Sequence, residues 1–318
     1  MAFDLYAIAE GAKTIGITGH IKPDGDCIGS TFALAAYLRK RFPEAKVEVF
    51  LEKPEVAFDR VPDREKLITD FPEREPFDVF IVCDTNYERT GDAKKYFDAA
   101  KCTVNIDHHI SNQNGTGRHN LVEPEAPACA EIICGLIPKE YMDARIAELL
   151  YMGIAHDTGV FHFSNTRPQT MRTCADLLEY SFDFSKMLDD TFYMSTQLQN
   201  LMMGHALLDS RFYLEGKLIV SSADLQQMAA IGAGKDETGG IVERLRITTG
   251  VDASVFIYEK EPGYLKASLR SSTDAVNVAK VCEAFGGGGH DRAAGCEYHG
   301  TVAEFERKLV ETVAKQYG

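Results

Sequence analysis

Long apolar runs are missing from this chain. No stretch approaches the roughly 18 consecutive apolar residues that a bilayer-spanning helix needs, so no membrane span is expected. The first twenty residues carry Asp4 and Glu10 and no continuous apolar block, which predicts no signal peptide and a cytoplasmic location. Paired cysteines are missing as well. The eight, at 27, 83, 102, 129, 134, 174, 282 and 296, form no C-x-x-C pair, which removes a structural zinc site built on thiolates. Several lie in apolar stretches such as Val82-Cys83 and Ile133-Cys134, where a reduced cysteine packs as a small core residue. Positive charge is scarce: 34 Lys and Arg against 48 Asp and Glu leave a net charge of −14. A general nucleic-acid coat protein shows a basic stripe, and this balance argues against one. No H-E-x-x-H or G-x-S-x-G motif occurs, which excludes the zincin and α/β-hydrolase readings. Gly232-Ala-Gly234-Lys235 falls short of a P-loop because Asp236 stands where Ser or Thr is required.

What remains is the composition of a soluble globular protein, 45% hydrophobic and 26% charged over 318 residues, enough for two domains. In the N-terminal half, short apolar runs at 13–18, 46–51, 79–83 and 102–106 alternate with helical patterns at 27–41, 144–155 and 169–180. On the first helix Ile28, Phe32, Ala35 and Ala36 fall on one face. This β-α alternation predicts an α/β fold, a mostly parallel sheet flanked by helices. Residues 184–209 read as helical and polar-punctuated. The last hundred read as a smaller α+β domain, with strands at 218–221, 253–258 and 264–269 and a closing helix at 301–317. The expected organisation is therefore a catalytic domain over 1–185, a helical linker over 186–210 and a second domain over 211–318.

The chemistry-bearing residues stand in four separated places, each at or near the end of a regular element. They are His20-Ile-Lys-Pro-Asp24-Gly-Asp26, Asp84 after Val79–Cys83, Asp107-His108-His109 after Val104-Asn-Ile106, and Asp157 in Gly153-Ile-Ala-His-Asp157. In an open α/β sheet, ligands bind outside the carboxyl ends of the strands, and three of these segments sit there. Singly, each has a plain structural reading: Asp-x-Asp as a turn, Asp84 or Asp157 as a cap, the histidines as surface groups. Together, five crowded aspartates would repel one another unless positive charge lay between them. Carboxylate and imidazole ligands without thiolate suit Mn²⁺, Mg²⁺ or Fe²⁺. Shared carboxylates can hold two such cations roughly 3.5–4 Å apart, an arrangement that activates water and stabilises phosphoryl charge.

These motifs resemble those of the DHH phosphoesterase superfamily, named for its Asp-His-His triplet, and within it the NrnA-type oligoribonucleases and 3′-phosphoadenosine-5′-phosphate (pAp) phosphatases. A C-terminal signature extends the resemblance over nearly the whole chain: Ser268-Leu-Arg270-Ser271 and Gly286-Gly-Gly-Gly-His290-Asp-Arg-Ala-Ala-Gly295. The resemblance implies that His20, Asp24 and Asp84 hold one cation and Asp26, Asp84, His108 and Asp157 the other, two divalent ions with Mn²⁺ foremost. Asp107 would orient its neighbours, and His109 would contact the phosphate or protonate the leaving group. Arg270, Ser271, Gly287, Gly288, Gly289 and His290 would bind substrate across an interdomain cleft. The glycines allow close backbone approach to an anion, although on composition alone they read equally well as a flexible turn. Arg89 and Arg118 are further candidates for reaching a phosphate.

The implied activity is metal-dependent hydrolysis of short oligonucleotides, dinucleotides such as pApA, or pAp. Partners are then a small nucleotide or short oligonucleotide, with no long nucleic acid and no membrane, and a homodimer is allowed. The alternatives are a RecJ-type single-strand exonuclease and a non-catalytic nucleotide sensor. The basic Ser-Arg-Lys-Lys signature of the related pyrophosphatases is missing here.

Overall fold

A computed structural model describes residues 3–317 and divides the chain between Met194 and Ser195 into two compact units. The first unit opens with α1 (Leu5–Ala9), then runs β1 (Thr14–Thr18), α2 (Gly25–Arg41), β2 (Lys46–Phe50), β3 (Leu67–Ile68), β4 (Val79–Cys83), α3 (Lys94–Ala99), β5 (Cys102–Asp107) and β6 (His119–Val122). Four helices follow: α4 (Cys129–Leu136), α5 (Ala144–Asp157), α6 (Pro168–Leu178) and α7 (Phe184–Leu188). The six strands form one sheet in the order β3-β2-β1-β4-β5-β6, every pair parallel. Both faces are covered, which is why β4 is buried at all of its positions and reads as a continuous apolar run. One face carries an aromatic cluster of Phe50, Phe77, Phe80 and Tyr96. The larger core of the unit packs the helices, with α2 at its centre, against strand residues such as Ile15, Ile17, Val49, Ile81 and Val104. Only one apolar stripe was expected on α2, yet it is buried continuously from Gly25 to Leu38, because α4 and α5 pack against it as well.

The order of strands reverses between β1 and β4, and a doubly wound sheet opens its ligand crevice at that switch point. In this unit the sequence patterns missed α1, β3, α3, β6 and α4. Two of them are very short, and α4, rich in small and apolar residues, has no side-chain cap of its own.

The second unit contains α8 (Gln197–Leu208), β7 (Arg211–Tyr213), β8 (Leu218–Ala223), α9 (Leu225–Ile231), α10 (Ile241–Arg246), β9 (Ala253–Glu261), β10 (Tyr264–Ser271), α11 (Val278–Glu283), β11 (Gly288–His290), β12 (Ala293–His299) and α12 (Val302–Ala314). Its mixed sheet has the order β11-β12-β10-β9-β8-β7, with only β8 and β9 parallel. Leu218, Val255, Leu265 and Leu269 join Val281, Phe305 and Leu309 in one core, while Ile219, Phe256 and Tyr258 join Met202, Met228 and Leu245 in another. The second core covers β8 and β9 but stops short of β10, whose residues alternate half-buried and buried. The fold is thus α/β followed by a smaller mixed-sheet unit. The stretch between α7 and α8 includes a five-residue π turn, Asp189–Tyr193, and α8 opens with a reciprocal cap between Thr196 and Gln199.

Candidate metal centre

The strand ends converge as the sheet topology requires. His20 follows β1, Asp84 follows β4, and Asp107-His108-His109 ends and follows β5; Asp157 is the last residue of α5. Asp84 is 2% exposed and adopts φ +59°, a left-handed conformation that a non-glycine residue takes at a cost. That conformation turns its carboxylate between two imidazoles. Oδ2 lies 3.5 Å from His20 Nε2, and Oδ1 lies 3.2 Å from His108 Nε2. Asp24 Oδ2 approaches His20 Nε2 to 3.5 Å, while its Oδ1 caps α2 by accepting from the Asp26 and Cys27 amides. On the other side Asp157 Oδ2 is 3.2 Å and Asp26 Oδ2 is 3.9 Å from His108 Nε2. Asp26 also accepts from the amides of Cys129 and Ala130 at 2.6 and 2.9 Å, supplying the cap that α4 lacks.

The tautomers are dictated by backbone carbonyls. His20 Nδ1–H donates to Ile21 O at 2.8 Å and His108 Nδ1–H to Ala126 O at 3.2 Å. In a neutral ring Nε2 then carries a lone pair aimed at carboxylate oxygens. Asp84 Oδ1 and His108 Nε2 are both buried and make no hydrogen bond. Such an arrangement demands positive charge, and protons supply it in the absence of cations. Burial resists the charge on His20, but Asp24 and Asp84 override it and push its pKa up to about 10. Burial likewise opposes charge on His108, and Asp157 and Asp84 push it up to about 11. Burial raises Asp26 and Asp157, with Asp84 adding to both, whereas His20 holds Asp24 down to about 2 against its burial. Oxygen and imidazole donors, two of them buried with orphaned lone pairs, converge at the carboxyl end of the sheet and fit a pair of hard divalent cations. Cys27 lies beside His20 and Asp84, but burial holds its thiol well above the usual range, so it stays protonated as packing under Gly19.

Asp107 is fully buried and saturated. Oδ1 accepts from the amides of His108 and His109 and from His109 Nδ1–H at 2.7 Å, and Oδ2 accepts from Asn112 Nδ2 at 2.6 Å. It therefore steers His109 through Oδ1. Asn112 also donates to Asn105 Oδ1, and Asn105 donates to Val82 O and Thr85 O, a buried amide network that locks β4 to β5 beneath the site. Nothing in the linear pattern marks these asparagines except their burial-prone neighbours.

The outlying candidates divide. Arg89 is exposed on a turn whose carbonyl accepts from the Ile21 amide at 2.8 Å, so its loop lies against the His20 segment. Arg118 does not join the site. Its amide donates to Thr103 Oγ1 near the start of β5, four residues back from Asp107 and about 13 Å along the strand. In the second unit, antiparallel register places Arg270, Ala293 and His290 in one row across β10, β12 and β11, and Ser268, Gly295 and Gly288 in the next. Small residues line this strip, flanked by the exposed His290 imidazole and by the half-buried Arg270 guanidinium, whose Nε lies 3.6 Å from Glu243 Oε2. Ser271 departs from expectation: alternation turns it to the covered face, 2% exposed, with its hydroxyl donated to Thr273 O. Ser268, two residues back along the strand, lies on the same face as Arg270. Gly288 and Gly289 belong to β11, paired with β12, and Gly287 precedes it. At Gly287 a Cβ would lie 2.3 Å from Gly295 O, and Gly289, at φ +149°, would clash with Ala293 O, so these two permit close strand approach.

A parallel sheet with a His/Asp cluster at its switch point, followed by a mixed-sheet unit with a small-residue strip, defines the class. Residues 14–154 match the DHH family N-terminal domain and residues 216–317 the DHHA1 domain. The chain belongs to the DHH family. It is 31% identical to the bifunctional oligoribonuclease and PAP phosphatase NrnA of Thermus thermophilus (93% of this chain, 88% of the relative). The protein of that name from Bacillus subtilis is 27% identical, with 96% of each chain covered. In fold it is similar to an exopolyphosphatase-related protein of Bacteroides fragilis, with a TM-score of 0.86 at 22% identity, over 98% of this chain and 96% of that one. Among the described residues no helix is long and apolar enough to cross a membrane.

Proposed function

We propose that this chain is a two-cation phosphoesterase hydrolysing short oligonucleotides and pAp. The observation that carries the reading is Asp84, a buried carboxylate in a left-handed conformation that offers one oxygen to His20 and one to His108. His20, Asp24 and Asp84 would hold one cation, and Asp26, Asp84, His108 and Asp157 the other. Bound there, two Mn²⁺ ions would polarise phosphoryl oxygens and supply a nucleophilic water at neutral pH. His109, anchored by Asp107 with its side chain 37% exposed, can present Nε2 to a phosphoryl or leaving-group oxygen. Arg270 and His290 would hold the nucleotide's remaining phosphate or base, giving residues 1–194 the chemistry and 195–318 the recognition. The names of the full-length relatives support this substrate class. The test is a side-by-side Mn²⁺ assay of pApA, pAp, a single strand of about twenty nucleotides and pyrophosphate, with Asp84→Ala and a chelator as controls. Preferred cleavage of the first two, lost with Asp84→Ala, is expected. Full activity in excess chelator, or preference for the long strand, would overturn the reading.

A further inference from the structure

Asp26, His108 and Asp157 come from distant parts of the chain, yet the first two are held directly by five consecutive buried residues, 126–130, and the third is tied to them through one bridging side chain. Ala126 O accepts from His108 Nδ1–H at 3.2 Å. The amides of Cys129 and Ala130 donate to the two oxygens of Asp26. The third tie is indirect: Asn165 Nδ2 donates to Pro127 O at 3.3 Å and to Asp157 O at 3.0 Å. The segment is itself fastened to the end of β5: Cys129 Sγ donates to Ile106 O, and the Ala126 amide donates to Glu123 O, whose own amide donates to Asp107 O.

Asn165 reaches this position through an unusual backbone. Gly159, Val160 and Phe161 have φ +56°, +53° and +64°, a left-handed run that includes a β-branched residue, where it is a genuine outlier. Thr158, fully buried, holds the run together: its carbonyl accepts from the amides of His162 and Phe163, and its hydroxyl from that of Phe161. The chain is thereby reversed after α5 and brings Asn165 back over Asp157. Strain of this kind persists where the surroundings over-determine it.

We propose that Asn165 is a positioning residue for the cation shared by Asp26, His108 and Asp157, a role that rests on the metal-centre reading above. Its one amide nitrogen clamps the end of α5 to the segment that already orients the other two side chains. Without it the main-chain carbonyl of Asp157, at the end of α5, loses its tie to that frame, while His20, Asp24 and Asp84 keep all of their own supports. The outer groups around metal ligands commonly contribute about 10–100-fold in affinity.

The test is a Mn²⁺ titration of the chelator-stripped full chain, followed by the electron paramagnetic resonance of the free ion. His108→Ala and His20→Ala identify the two binding components. Asn165→Ala and the isosteric Asn165→Asp, which lacks both N–H donors, should weaken the component lost in His108→Ala by about tenfold or more and leave the other unchanged. Asn165→Gln, which keeps the amide, should recover part of the loss. Equal weakening of both components, or of neither, would overturn the positioning role alone. If His108→Ala removes no component, the metal-centre reading fails and this proposal fails with it.

Discussion

His20 and His108 each give Nδ1–H to a carbonyl and turn Nε2 toward carboxylates, so a proton or a cation must sit between the rings and Asp84. The two rings, pushed up from 6.5 to about 10 and about 11, are protonated at neutral pH when no cation is present. Because the folded protein holds these protons more tightly than the unfolded chain, the stability they add to the stripped protein is complete below 6.5 and is lost as pH rises through 10 to 11. Cations must displace the same protons, so affinity should rise with pH over that window. Calorimetry of Mn²⁺ binding near pH 7.5, in buffers of different ionisation enthalpy, should report release of about two protons. Release of none would mean that the rings are already neutral. At this scale much was legible beforehand, because His and Asp at strand ends are chemically conspicuous. Asn105, Asn112 and Asn165 were not, because an asparagine's role depends on which distant carbonyls it meets.

Among the elements, the packing of α2 on α5 sets the spacing of the ligands they carry. A Cβ on Gly29 would lie 2.4 Å from Leu149 O, and one on Gly153 would lie 2.6 Å from Ala130 Cβ and 2.8 Å from Asp26 Oδ1. Gly29→Ala and Gly153→Ala should each cost about 1–3 kcal/mol in urea unfolding. Gly153→Ala should also weaken Mn²⁺ binding, because the neighbour that must give way is a candidate ligand. Strand β10 makes a second distinction. Arg270→Ala should raise KM for pApA about tenfold or more, the weight of a charge-assisted hydrogen bond, while Ser271→Ala should leave KM unchanged and lower stability by about 1 kcal/mol. A shift in KM with Ser271→Ala would contradict its place on the covered face. Alternation along β10 contains this answer, but only the packing of α11 and α12 tells which face is covered.

For the whole molecule, each unit has its own core and the candidate cation ligands all lie in the first. A fragment spanning 1–194 should therefore bind two Mn²⁺ per chain with affinities close to those of the full protein, yet lose most turnover of pApA. Titration and a nucleotide assay on the same preparation check both halves of that expectation. Full turnover by the fragment would remove the proposed role of the Arg270 strip.

The sequence alone determined the α/β class, the buried parallel strands and the four clustered motifs, because periodicity and residue chemistry are local properties that survive without coordinates. It also carried the family resemblance in its two signatures. The tertiary structure decided what depends on separations in space rather than along the chain. It set Arg118 at the far end of β5, turned Ser271 inward and Ser268 outward, and showed Gly287 and Gly289 to be sites of strand contact. It also made Asp26 the cap of a helix more than a hundred residues away. The physical reason is common to all of these: a strand end, a glycine or an asparagine acquires its task from the neighbour that folding brings to it.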